Sequence, residues 1–190
     1  GNAQFPAFHA VGEIVYFVAD DGIHGEELWR SDGTPEGTWM VKDIWLGVGD
    51  SFITEIIDIE GRLYFSAGGQ ETSVELWTSD GTTNGTRVVA DILSEGGSDP
   101  EQVTNLNGVL YFTAEHPDFG REVWKSHGTD EGTFMLTEIR EGVEDGTLRE
   151  LTAAGNHLYF QATDAYNGTE LWAALTEFQV SFIRRVDPDP

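Results

Sequence analysis

A Glu-Leu-Trp phrase or a close variant returns four times along this chain, with its tryptophan at Trp29, Trp77, Trp124 and Trp172. The intervals between these tryptophans are 48, 47 and 48 residues. Self-similarity at a period of roughly 40–50 residues is typical of propellers and solenoids, in which each unit buries its face on the next. One repeating unit therefore builds most of the 190 residues.

Each unit is predicted to hold four short strands. In the third copy, the segments 102–106 and 109–114 flank Asn107-Gly108, a residue pair that suits a type I′ hairpin turn. Glu122-Val123-Trp124 reads as a third strand, and a fourth follows a polar turn that contains Gly-Thr. No stretch keeps a 3.6-residue apolar period, so we expect little or no helix.

Four antiparallel strands per unit with recurring aromatic residues are the signature of propeller blades. We therefore predict an all-β fold, a four-bladed β-propeller that forms a single domain over residues 1–190. The predicted blades span approximately residues 1–47, 48–95, 96–142 and 143–190. The recurring Tyr-Phe and Trp positions are expected to pack between blades rather than to bind a ligand.

The chain is strongly acidic, with ten Lys and Arg against 34 Asp and Glu, a formal net charge of −24. Such a charge opposes binding to nucleic acid and to anionic membranes. The acids either act as solubilising surface or hold cations. Because Cys is absent, disulfides, thiolate metal sites and a cysteine nucleophile are excluded. The sequence contains no apolar run of about 18 residues, so we expect no membrane-spanning helix in it.

Two copies of the repeat contain the complete pattern Glu-Leu-Trp-x-x-Asp-Gly-Thr: Glu27-Leu28-Trp29-Arg30-Ser31-Asp32-Gly33-Thr34 and Glu75-Leu76-Trp77-Thr78-Ser79-Asp80-Gly81-Thr82. They resemble the ELWxxDGT repeat family; the third copy has His127 in place of Asp, and the fourth keeps only Glu170-Leu171-Trp172. The resemblance implies a β-propeller-like array from a secreted or cell-surface bacterial protein, without catalytic residues to carry over. The sequence has no basic start followed by an apolar stretch, so we expect no signal peptide within it. Its four-bladed size is also similar to that of hemopexin-like domains.

The loops between second and third strands and the connectors between blades are predicted to emerge at one acidic end. Calcium takes about six to eight oxygen ligands with flexible geometry, so Ca²⁺ is the expected cofactor there. The alternative is solvated turns in which Asp side chains cap backbone N–H groups. Glu27, Glu75, Glu122 and Glu170 recur and are expected to make buried structural hydrogen bonds. The candidate metal ligands are Asp20, Asp21, Glu26, Asp50, Asp99 and Asp145.

Aromatic and histidine side chains at the same end are candidates for ligand binding: Trp45, His116, Phe119 and Tyr166. Ring faces beside carboxylates are what sugar-binding surfaces use. The alternative for these residues is ordinary packing.

These features predict a non-catalytic extracellular binding or adhesion module, stabilised by Ca²⁺, with a protein or glycan partner on the acidic loop face. The alternative is a structural spacer or assembly unit of a bacterial surface layer or filament, which would self-assemble. A glycan-degrading enzyme ranks third, because the histidines are scattered and no nucleophile motif is present. We accordingly predict no enzymatic activity and no catalytic residues.

Overall fold

The computed structural model describes residues 8–70, 73–93, 96–137, 148–164, 168–177 and 180–185. Side chains are described within these ranges up to residue 174, except that of residue 164. Within these ranges sixteen strands form four antiparallel sheets, and no helix is present. We call the sheets blades 1 to 4. Blade 1 contains β1 His9–Val11, β2 Ile14–Asp20, β3 Glu26–Ser31 and β4 Trp39–Lys42. Blade 2 contains β5 Thr54–Ile59, β6 Arg62–Gly68, β7 Val74–Ser79 and β8 Arg87–Ala90. Blade 3 contains β9 Glu101–Leu106, β10 Val109–His116, β11 Gly120–Ser126 and β12 Thr133–Met135. Blade 4 contains β13 Arg149–Ala154, β14 His157–Asp164, β15 Gly168–Glu177 and β16 Val180–Arg185.

Every blade is a meander in which strand order in the sheet follows strand order in the chain. The predicted all-β fold class, with four four-stranded blades, is therefore confirmed. The chain divides into two compact units, Gly1–Asp99 with blades 1 and 2, and Pro100–Pro190 with blades 3 and 4. No helix in the described ranges is long and apolar enough to cross a membrane.

The hairpins between the first two strands of each blade use the turns that the sequence predicts. Glu60 and Gly61 have φ of 54° and 83°, and Asn107 and Gly108 have φ of 55° and 82°, as type I′ requires. Where glycine leads the pair, Gly12 and Gly155 have φ of 61° and 60°. The residues that follow them, Glu13 and Asn156, do not have a positive φ, and a positive φ at the first central position alone is that of a II′ turn.

The strand register shows which residues lie on each of the two faces of a blade. In blade 1, Phe17 pairs with Trp29 across β2 and β3, while the adjacent Tyr16 pairs with Arg30 and Val18 with Leu28. Side chains alternate along a strand, so the two sets point to opposite sides. We call the Phe and Trp side the rear face and the Tyr and Leu side the front face.

In the first unit, the front face of blade 1 packs on the rear face of blade 2. Tyr16 and Leu28 share one buried cluster with Leu63, Phe65 and Trp77. Lys42 Nζ also donates to the Thr86 carbonyl at 3.0 Å, which adds a polar link between the two blades.

The second unit repeats this arrangement. Tyr111 and Val123 of blade 3 share a cluster with Leu158 and Phe160 of blade 4. The Gln102 side chain donates to the Leu148 carbonyl at 3.2 Å and accepts from the Leu151 amide at 2.9 Å, which ties β9 to the start of blade 4. Within both units the recurring aromatic positions therefore form inter-blade core, as expected.

Candidate functional site

The loop after β2 and the connector after β4 lie against each other, as the strand order predicts. Asp50 Oδ1 accepts from the Glu26 amide at 2.9 Å. The Ser51 amide and hydroxyl donate to the Glu26 carbonyl at 2.9 and 2.7 Å. Residues 20–26 and 43–52 therefore form one continuous surface, which we call the loop surface of blade 1.

The recurring glutamate of the repeat holds the connector in place. Glu27 accepts from the amides of Ile44 and Trp45, both at 2.9 Å, and its side chain is fully buried. Because the carboxylate satisfies two amides that no strand partner reaches, it fixes the connector to β3.

The next two blades use the same device with different partners. Glu75 accepts from the amide and hydroxyl of Ser98 at 3.0 and 2.5 Å, and Glu122 accepts from the Thr137 hydroxyl. Both glutamates are buried. The expected structural role is confirmed for Glu27, Glu75 and Glu122, whose buried carboxylates accept hydrogen bonds from the connectors that follow their blades.

Glu75 makes the stability of the first unit depend on pH. Burial raises the pKa of Glu75 from 4.5 to about 7, against the opposing hydrogen bonds from Ser98. The folded state therefore binds this proton more tightly than the unfolded state does, and the stabilisation is complete below pH 4.5 and lost as pH rises through about 7. After allowance for solvent screening of this charge, we expect the ionisation of Glu75 to lower the free energy of unfolding by about 1–2 kcal/mol as pH rises through this range.

Urea unfolding at the two ends of this pH range measures the effect. Glu75→Gln keeps the hydrogen-bonding shape and should flatten the pH dependence, while Glu131→Gln, an exposed matched control, should leave it as in the wild type. Equal pH dependence in all three proteins would contradict the assignment.

Two aspartates of the loop surface cap their own turn. Asp20 Oδ1 accepts from the Gly22 amide at 2.7 Å. Asp21 Oδ1 accepts from the amides of Ile23 and His24 at 2.9 Å each. Asp21 Oδ2 lies 2.8 Å from His24 Nδ1. These contacts match the capping alternative that the sequence left open.

The Asp21 and His24 pair is also an electrostatic unit. The hydrogen bond from His24, with help from two backbone amides, lowers the pKa of Asp21. The same bond to Asp21 raises the pKa of His24 above its ordinary value. The pair thus favours an ionised carboxylate beside a protonated imidazole, with both side chains partly exposed.

Calcium stays a prediction. Among the described residues, no group of three or more His, Asp or Glu side chains is placed to hold a metal ion. Asp20, Asp21, Glu26 and Asp50 are brought to the loop surface of blade 1, Asp99 lies in the following connector, and Asp145 falls outside the described residues.

The loop surface of blade 1 also presents two aromatic rings. Trp45 and Phe52 meet edge to face with centroids 6.1 Å apart. The Trp45 ring covers Gly49 so closely that a Cβ there would lie 2.1 Å from Trp45 Cδ1. Phe52 is 59% exposed and has φ of 50°. Trp45 was predicted from the sequence as a ligand-binding candidate. Phe52 was missed, because its only signal is an aromatic residue in a polar connector.

A second aromatic group lies at the β10–β11 hairpin of the other unit. His116 contacts Phe119 at 4.8 Å and Trp124 at 6.0 Å between ring centroids. Its Nδ1 accepts from the Asp118 amide at 3.2 Å. His116 and Phe119 are thus brought together as candidates, while Tyr166 lies outside the described residues.

Solved structures with a similar fold cover nearly all of this chain. An endo-1,4-beta-xylanase from Bacteroides thetaiotaomicron is 16% identical with a TM-score of 0.42, over 97% of this chain and 72% of that one. An alpha-L-arabinofuranosidase from Clostridium thermocellum is 15% identical with a TM-score of 0.40, over 97% and 74%. The Bacteroides ovatus protein described as xyloglucan PUL GH43B is 11% identical with a TM-score of 0.45, over 97% and 41%. No protein-family model matches the chain, and no curated protein does. The ELWxxDGT resemblance therefore stays a prediction.

The predictions of a non-catalytic binding module and of no enzymatic activity were wrong to exclude catalysis, because similar folds occur in proteins described as a xylanase and an arabinofuranosidase. The physical reason is that glycoside cleavage needs two carboxylates at a suitable separation. That separation is set by the fold and leaves no motif in a chain with 34 acids. At 11–16% identity the likeness extends to the fold alone and assigns no activity to this chain.

Proposed function

We propose that this chain acts on carbohydrate and contacts it through the loop surface of blade 1. The observation that carries the proposal is the pair of rings, Trp45 and Phe52, displayed beside Asp21 and Asp50 on one hydrogen-bonded surface. Aromatic faces pack on the C–H faces of sugars, and fixed carboxylates accept from their hydroxyls.

Phe52 supports the proposal because the fold does not need its ring. The equivalent residue in the next connector, which also follows a buried serine, is Asp99, with φ of 42°. The backbone conformation therefore recurs while the side chain changes. A phenyl ring left 59% exposed at such a position gains little from burial, so a ligand contact is the better explanation.

Asp21 and His24 add hydrogen-bonding groups to the proposed sugar contact. Asp21 Oδ2 and His24 Nδ1 lie 2.8 Å apart, and their mutual hydrogen bond lowers the pKa of Asp21 and raises that of His24. Glycoside cleavage needs its two reacting groups roughly 5–10 Å apart. We therefore assign this pair to the binding of sugar hydroxyls and not to the cleavage step.

The net charge of −24 narrows the carbohydrate class. A polymer that carries uronic acids or sulfates is repelled by such a surface, and a neutral polysaccharide is not. We therefore propose a neutral glycan as the ligand.

Affinity electrophoresis in gels that contain neutral or anionic polysaccharides tests this function. We expect Trp45→Ala to weaken binding of the neutral polymer by at least about tenfold, which is about 1.4 kcal/mol. The matched control is Trp39→Ala, since Trp39 is exposed, stacks on Arg30 and lies at the start of β4, away from the loop surface. This control should bind like the wild type.

A reducing-end assay on the same polymers tests cleavage separately. Release of new reducing ends by the wild type supports hydrolysis. Binding without release would contradict the cleavage step, and equal affinity of the Trp45→Ala and wild-type proteins would contradict the placement of the site.

A further inference from the structure

The rear face of blade 1 differs from the rear faces of the other blades. Phe65, Phe112 and Phe160 are at most 1% exposed, but the equivalent Phe17 is only half-buried. The residue two positions earlier behaves in the same way: Leu63, Leu110 and Leu158 are buried and Val15 is half-buried. In blade 1 this repeat position is therefore covered only in part, by Phe8, whose ring centroid lies 5.8 Å from that of Phe17.

Blade 2 shows what the cover is. Its rear face packs on Tyr16 and Leu28 from the front face of blade 1. Tyr16 reaches across to the turn after β7, where a Cβ at Gly81 would lie 2.2 Å from the Tyr16 hydroxyl. The glycine of the Asp-Gly-Thr turn and the rear face together thus form a socket for a tyrosine.

In blade 1 the corresponding socket is open. Gly33, the equivalent of Gly81, is exposed and has nothing within 4 Å of a Cβ position. A cleft of about 550 Å³ lies there, and its lining includes Phe8, Val15, Phe17, Asp32, Gly33 and Thr38. The cleft therefore has the residues of the tyrosine socket in blade 2 without a tyrosine in it.

The complementary surface is exposed on blade 4. Leu171 is 43% exposed, whereas its equivalents Leu28, Leu76 and Val123 are fully buried. Tyr159, the equivalent of Tyr16, is half-buried. An exposed leucine beside a partly exposed tyrosine is the pair that covers a rear face elsewhere in the chain.

We propose that two copies of this chain associate head to tail, the front face of blade 4 in one copy packing on the rear face of blade 1 in another. Tyr159 would enter the cleft at Gly33, and Leu171 would cover Phe17. The occupant is a second copy because the chain carries both halves of an interface that it already uses twice, between blades 1 and 2 and between blades 3 and 4. A contact between two different surfaces is heterologous, so it leaves one free face of each kind on the dimer.

Sedimentation velocity over a range of concentrations, combined with a complementation experiment, tests the proposal. Leu171→Asp breaks the front face of blade 4. Phe8→Asp and Phe17→Asp break the blade 1 cleft, and Phe8 is 78% exposed, so its replacement carries little risk to folding. Circular dichroism confirms that each variant folds. Val48→Asp is the control, because Val48 is 87% exposed and lies on the connector instead.

The wild type and Val48→Asp should increase in mass with concentration, while Leu171→Asp and Phe8→Asp should each stay monomeric alone. An equimolar mixture of these two variants should form a 1:1 dimer, because each supplies the face that the other lacks. A wild type that stays monomeric at all concentrations would overturn the proposal. A mixture that stays monomeric while the wild type associates would overturn the head-to-tail pairing.

Discussion

Phe65→Ala is expected to lower the free energy of unfolding of the first unit by about 3–5 kcal/mol, the usual cost of removing a fully buried phenyl ring. Phe65 is 0% exposed and packs in the cluster with Tyr16 and Leu28. Phe17→Ala removes the same atoms from the same repeat position, but that ring is only half-buried. We expect it to cost less than about half as much, because fewer contacts are lost and no closed cavity forms.

Urea unfolding followed by tryptophan fluorescence measures both changes, at a protein concentration low enough to keep the chain monomeric. Equal losses for the two variants would contradict the difference between the covered and partly covered rear faces. A large loss for Phe17→Ala that appears only at high protein concentration would instead reflect burial of Phe17 by a second copy.

Gly25→Ala is expected to separate the two halves of the loop surface of blade 1. Gly25 has φ of 70°, and a Cβ there would lie 2.4 Å from the Gly49 carbonyl oxygen, so backbone must move. Gly22 is the matched control, since its φ is 80° and nothing lies within 4 Å of a Cβ. We expect Gly22→Ala to cost about 1–2 kcal/mol from the left-handed conformation alone. The displaced connector should bring the cost of Gly25→Ala to roughly 3 kcal/mol or more.

Thermal unfolding and glycan binding provide two measurements of this prediction. Gly22→Ala should retain binding, because Trp45 and Phe52 keep their positions. Gly25→Ala should lose binding at temperatures where circular dichroism still reports folded protein. Similar stability and binding for the two variants would show that the contact of Gly25 with the connector is not needed.

The blade pattern could be predicted from the sequence because its causes are local. Asn107-Gly108 permits two successive positive φ angles, and alternation along β10 separates Tyr111 from Phe112. The role of Glu27 was also predictable, since a carboxylate that recurs at one repeat position is tied to the backbone of the repeat.

Burial at individual positions could not be predicted in this way. Phe17 and Phe65 stand in nearly the same local sequence, and only the presence or absence of a neighbouring face distinguishes them. Likewise, the density of acids near Asp21 was compatible with both cation binding and turn capping, because both use the same carboxylate oxygens. Phe52 was missed because an exposed aromatic residue in a connector has no periodic signal.

Electrophoresis of the wild-type chain through gels with and without a neutral polysaccharide tests most directly whether carbohydrate is its ligand. We predict slower migration in at least one neutral polymer gel, relative to a non-binding reference protein, and unchanged migration in a gel with an anionic polymer. Unchanged migration in every neutral polymer gel would contradict the proposed carbohydrate function.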